Sequence, residues 1–123
     1  MAVQRAEMDE RVTFIQQLQQ ETGSVVLINT FRVAPEEVDH LLAAWAEDAA
    51  YMKQQPGFIA TQLHRGTAGS TTFVNVAVWE SAQALRAAFL SPQFRARTER
   101  YPDTAVATPH LFEKVAVPGI CVA

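Results

Sequence analysis

A chain of 123 residues with 49% hydrophobic and 19% charged side chains supports one core and leaves no room for a separate nucleotide- or metal-binding module. Its formal net charge of -3, without clustered Lys/Arg, excludes the basic field that a phosphate backbone requires, so no nucleic-acid partner is expected. A lone cysteine, Cys121, makes neither an internal disulfide nor a zinc site, no apolar run approaches the ~20 residues of a membrane span, and the opening MAVQRAEMDER lacks the apolar stretch of a signal peptide, so a cytoplasmic protein without a membrane partner is expected.

In chain order, residues 9 to 22 place Val12, Ile15 and Leu18 at helical spacing between Asp9 as a cap and Gly23 as a stop. That predicts a short amphipathic helix within an N-terminal extension, residues 1–23, ahead of a main domain over 24–123. Residues 25 to 33 (VVLINTFRV) are β-branched and aromatic and form a first strand whose apolar face is interrupted by Asn29. Pro35, Glu36 and Glu37 suit a first helical turn, and Val38, Leu41, Leu42, Trp45, Ala49 and Met52 form one stripe. This helix ends before Pro56-Gly57.

Residues 58 to 66 and 72 to 79 read as two further strands, and the intervening GTAGST is hairpin chemistry. Ser81 caps a second helix with Leu85, Ala88 and Phe89 on its buried side, Ser91-Pro92 interrupts it, and a further helical piece runs from Phe94 to Tyr101. The segment HLFEKVAV, 110 to 117, reads as the last strand. The resulting order, β-α-β-β-α-β, predicts an α+β ferredoxin-like antiparallel sheet with its helices on one face. The other face needs cover, which predicts a homodimer in which two subunits pack against each other.

Alternation along FVNVAVW puts Phe73, Asn75, Ala77 and Trp79 on one face. In this topology the first and third strands are central neighbours, so Asn29 stands beside Asn75 if the registers agree. Each amide alone reads equally well as a bonded core group, and Trp79 alone as packing. Together they suggest a lined pocket whose N–H groups face an oxygen gaining negative charge. His64 shares the parity of Phe58, Ala60 and Gln62 and is a candidate acid or base, against the plainer reading of a surface or rim histidine. His40 reads as exposed and His110 stays open. Of the arginines in FRARTER, Arg97 is the candidate to hold an enolate or phenolate oxygen, the others being solvated.

The stretch PGFIATQLHRGTAGSTTFVNVAVWESAQALRAAF, residues 56 to 89, resembles the antibiotic biosynthesis monooxygenase family, above all in Pro56-Gly57-Phe58 and in the Asn75, Trp79, Glu80, Ser81 run. The likeness extends over about residues 25 to 117 and is greatest to its actinorhodin-type and nogalamycin-type anthrone oxygenases. That resemblance implies a dimeric barrel with a pocket between sheet and helices. It also implies oxidation of an aromatic polyketide, an anthrone or naphthacenone, to a quinone by O₂ in antibiotic biosynthesis, with neither metal nor flavin. Asn75, Trp79 and His64 match pocket residues of the actinorhodin type, and Asn29 matches a first-strand asparagine of the nogalamycin type. Leu63 and Leu85 stand where the former has tyrosines, and Thr98 lies close to the place of its arginine. The same fold hosts quinol monooxygenases, non-enzymatic stress or binding proteins, and haem-degrading enzymes. The last need a helix histidine for iron, which residues 92 to 101 lack.

Overall fold

The computed structural model describes residues 3–123; residues 1 and 2, where the expected extension begins, lie outside the described residues. In chain order the strands and α-helices are β1 (Gln4–Arg5), α1 (Phe14–Leu18), β2 (Val25–Arg32), α2 (Val38–Met52), β3 (Phe58–Arg65), β4 (Thr72–Trp79), α3 (Ala82–Phe89), α4 (Pro92–Thr98) and β5 (Val106–Phe112). The sheet order is β1-β5-β2-β4-β3. β2 pairs antiparallel with both β4 and β5, β3 pairs antiparallel with β4, and β1 adds a short parallel edge to β5. This is the expected ferredoxin-like α+β sheet, with β2 and β4 as neighbours in its middle.

Local chemistry explains most boundaries. Pro35 opens a 3₁₀ turn, Pro35–Glu37, that leads into α2, while Ser81 and Ser91 accept from Ala84 N–H and Phe94 N–H to start α3 and α4. The N-terminal helix differs from its sequence expectation. Asp9 accepts from Arg11 N–H in a local turn instead of capping a helix, and the cap is Thr13, paired reciprocally with Gln16. Phe14 and Leu18 are therefore the buried pair, and Val12 and Ile15 stay exposed.

The last strand also begins four residues earlier than the sequence pattern suggested, at Val106, and ends at Phe112. Pro109 sits inside it, because its side of the backbone, like that of Ala107 and Leu111, faces the outer edge, past the end of β1. Beyond it the Gln17 carboxamide replaces a strand, donating to the Leu111 carbonyl and accepting from Leu111 N–H at 2.9 and 2.8 Å. The edge is thus closed by one side chain.

Helices cover one sheet face with two apolar clusters. One gathers Phe14, Leu18, Trp79 and Leu85, the other Phe31, Leu41, Phe73 and Tyr101. The opposite face carries Val26, Ile28, Val74, Val76 and Val78, all only partly buried. The chain then continues as an exposed tail in which Ile120 is 82% accessible, and Cys121 is a free, exposed thiol.

Gly57 sits where α3 meets the start of β3. Its φ of +88° lies in the left-handed region, and a Cβ there would overlap the Ala84 side chain. Gly57→Ala is expected to cost about 2 kcal/mol from backbone and overlap together, measured as a lowered urea midpoint with unchanged slope; a wild-type midpoint would show that α3 can yield.

Candidate active site

Register builds the site before any side chain is considered. In the β2–β4 ladder Asn29 lies directly opposite Asn75, Leu27 opposite Ala77 and Val25 opposite Trp79. Strand alternation turns Asn29, Asn75 and Trp79 toward the helices, and all three line one cavity of about 400 Å³ between sheet and helices. That volume lies in the range of small-molecule pockets. Its wall draws on both apolar clusters, Trp79 and Leu85 from one, Phe31 and Tyr101 from the other. Met52, Phe58, Phe89 and Phe94 complete a mostly apolar enclosure.

The polar groups in this wall are oriented. Thr61 Oγ1 donates a hydrogen bond to Asn75 Oδ1, so the Asn75 amide N–H groups are left for the cavity. Asn29 Oδ1 is buried and takes no hydrogen bond among the described residues. An acceptor left unpaired in a cavity wall suits a donor brought by water or by a bound ligand, since leaving it unmade costs about 1–3 kcal/mol. Trp79 is 1% exposed and meets Phe58 edge to face, ring centres 5.5 Å apart. Packing therefore fixes the plane of the indole.

His64 is not part of this site. A β-bulge between Phe58 and Ala60 inserts Ile59 as an extra residue, 53% exposed, and a one-residue insertion reverses the facing of everything after it. Thr61, opposite Ala77, and Leu63, opposite Asn75, take the inward positions. His64 pairs with Val74 and is exposed on the other side of the sheet. The acid or base role expected of His64 is thereby corrected.

Arg97 is corrected too, since it does not line the cavity. Its guanidinium carbon lies 4.7 Å from the centre of the Tyr51 ring, and it donates to the Gln93 carbonyl. On α4 the inward positions are Phe94, Arg95 and Thr98, which places Arg97 on the flank toward α2. The arginines that reach the cavity are Arg95 and, from the N-terminal strand, Arg5, whose guanidinium lies over Phe89 at 5.2 Å. His110 is buried outside the cavity, its Nε2 3.1 Å from Gln17 Nε2. His40 is exposed and donates to the Arg100 carbonyl.

The cavity also holds a carboxyl that the sequence reading passed over. Asp48, on α2, lines it beside Tyr101, whose hydroxyl donates to Asp48 Oδ2 at 2.7 Å. Burial pushes Asp48 up to about 6, against the lowering effects of the Tyr101 hydrogen bond and the nearby Arg97 charge. Burial first, and then the Asp48 charge and hydrogen bond, raise Tyr101 far above its ordinary value, so it stays a donor. The signal was present in the sequence, because Leu41, Trp45, Asp48 and Met52 fall at i, i+4, i+7 and i+11 and put a carboxylate in the apolar stripe. Among the described residues no group of three or more His, Cys, Asp or Glu side chains forms a metal site.

Comparison with known proteins adds a relationship to this geometry. Over 76 residues the chain is 33% identical to deoxynogalonate monooxygenase of Streptomyces nogalater, the matched region covering 60% of this chain and 62% of that protein's length. It superposes on SnoaB, a cofactor-independent oxygenase from the same organism, with a TM-score of 0.67 and 27% identity, covering 80% of this chain and 99% of SnoaB. A Shewanella loihica protein gives the same TM-score and coverage at 26% identity. The profile of the family described as antibiotic biosynthesis monooxygenase matches residues 24–100, and this chain belongs to that family.

Proposed function

We propose that this chain is a cofactor-independent monooxygenase that oxidises an aromatic polyketide of the anthrone or naphthacenone type to the quinone with O₂. The observation that carries the reading is that the Asn29–Asn75 pair and Trp79 share the wall of one apolar cavity. An anthrone C–H is acidic because its loss gives an enolate delocalised over the rings. That enolate is electron-rich enough to reduce O₂ by one electron; recombination then gives a peroxide, and loss of water leaves a carbonyl. The Asn75 N–H groups and the Trp79 indole N–H suit the oxygen that gains charge. Asn29 Oδ1 suits a phenolic hydroxyl of the substrate, and the apolar wall excludes water while orienting the rings.

The test is oxygen uptake by metal-free protein with a panel of anthrones, naphthacenones and hydroquinones. The expected result is one O₂ consumed per anthrone, with the quinone as product. Uptake no faster than the uncatalysed rate on the anthrones, with turnover of hydroquinones alone, would replace this reading by quinol oxidation.

We further propose that the enzyme works in the cytoplasm as a homodimer closed over the open sheet face. Among the described residues no helix is long and apolar enough to cross a membrane. Val76 stands in the middle of that face, between Ile28 and Gln62, and a charge there opposes burial against a second copy. Wild type should sediment at twice the 13.6 kDa chain mass, and Val76→Asp at the chain mass. A wild type that sediments as a single chain rejects the dimer.

A further inference from the structure

With His64 on the far side of the sheet, the wall of asparagines and indole contains donors and one neutral acceptor but no base. The reaction proposed above begins with removal of a proton from carbon. We infer that Asp48 is the base that takes this proton, with Tyr101 as the residue that positions it. The inference rests on the anthrone-oxidation reading and adds a catalytic residue to it.

The geometry carries the assignment. Asp48 lines the same cavity as Asn29, Asn75 and Trp79. It projects from α2, across from the sheet, so a flat substrate between them meets the amides on one side and the carboxylate on the other. Tyr101 is 2% exposed and stacked on Phe31 at 5.8 Å, which fixes the hydroxyl that binds Oδ2. Oδ1 takes no hydrogen bond from the described residues and remains to accept a proton. Tyr101 and Arg97 act directly on Asp48, and Arg5 and Arg95 reach the same cavity. The sheet behind the substrate contributes Asn29, Phe31 and Ala107, none of which titrates. Desolvation makes Asp48 a stronger base than a surface carboxylate while leaving it ionised near neutral pH.

The step balances without an external reductant. The C–H bond breaks, its electron pair enters the rings as the enolate, and the proton forms an O–H bond at Asp48. After O₂ has accepted an electron and combined with the carbon, the Asp48 carboxylic acid returns that proton to the peroxide anion. The regenerated carboxylate then takes the remaining C–H proton as the O–O bond breaks, giving the carbonyl and a hydroxide that becomes water with the same proton.

Proton abstraction can be observed apart from oxygenation. In D₂O without O₂, wild type should accelerate deuterium incorporation at the reacting carbon of an anthrone. Asp48→Asn should lower that rate by about 10²-fold or more, lower kcat for oxygen uptake in parallel and leave KM within about threefold. Tyr101→Phe removes a hydrogen bond that holds Asp48 down, so the acid limb of kcat/KM, near pH 6 in wild type, should move to higher pH. A purely structural tyrosine would lower the melting temperature and leave that limb in place. If wild type exchanges and oxidises anthrones but Asp48→Asn matches it, Asp48 is not the base and the proposed activity stands. If wild type does neither, the activity itself is wrong and this assignment falls with it. Should Asp48→Asn fail to fold, an unmoved acid limb in Tyr101→Phe is sufficient to overturn the assignment.

Discussion

Asn75→Ala is expected to lower kcat for anthrone oxidation by about 10²–10³-fold, the loss typical when one donor to a developing oxyanion is removed, while KM changes little. The expectation follows from how the amide is held. Thr61 donates to Asn75 Oδ1, which fixes the orientation of the amide and turns its N–H groups toward the cavity. The enolate oxygen carries more charge in the transition state than the ketone does in the bound substrate, and a fixed donor therefore acts on kcat. Asn75→Asp is the sharper variant. It keeps the size of the side chain and can still accept from Thr61, but it replaces the donor by a negative charge, and its kcat should fall at least as far as that of alanine. Thr61→Val should cost about 5–10-fold, the value of one neutral hydrogen bond that orients the amide. Steady-state oxygen uptake, with circular dichroism as the check on folding, measures all three. Asn75→Asp turning over within a few-fold of wild type would remove oxyanion stabilisation from the account.

The part of this site that was legible in the sequence is the part that depends on topology and period. A βαββαβ order makes the first and third strands of that pattern neighbours, and alternation alone puts Asn75 and Trp79 on one face. The observed register adds that Asn29 meets Asn75 itself. What could not be read depends on a single inserted residue or on an ambiguous helix face. FIATQLHR contains no glycine or proline to announce the bulge at Ile59, yet that residue decides that Thr61 faces the cavity and His64 does not. Pro109 reads as a strand terminator in isolation. It is tolerated because β1 is two residues long and ends before the position where the missing N–H would have been needed.

The arginines illustrate the same limit. Three of them lie on the seven-residue α4 and at its end, and helical spacing cannot say which faces inward until the direction of the cavity is known. Arg5 was beyond any local reading, since it reaches the site only because the N-terminal segment adds to the far edge of the sheet. Asp48 is the opposite case. Its position in the stripe of α2 was plain, and a carboxylate among Leu41, Trp45 and Met52 is the kind of buried charge that a core excludes unless it has a use.

That burial has a consequence for stability, and Asp48→Asn should make the protein more stable at pH 8 by about 2–3 kcal/mol while changing little at pH 4. In the unfolded chain the carboxyl releases its proton near 3.8, whereas the folded chain keeps it until about pH 6. Between those values the folded state binds more protons than the unfolded one, so wild-type stability falls as pH rises through the interval and reaches a lower plateau above it. A separation of about two pKa units corresponds to about 3 kcal/mol. Asparagine has the shape of the carboxyl, can accept the Tyr101 hydroxyl and carries no charge, so it escapes this loss. Urea unfolding of both proteins at pH 4 and pH 8, with slopes compared to confirm that the unfolded states match, measures the difference. Equal stability differences at the two pH values would mean that Asp48 is solvated in the folded protein. A gain confined to high pH would show that keeping an ionised carboxylate in this cavity costs folding energy, as expected for a group retained for reactivity.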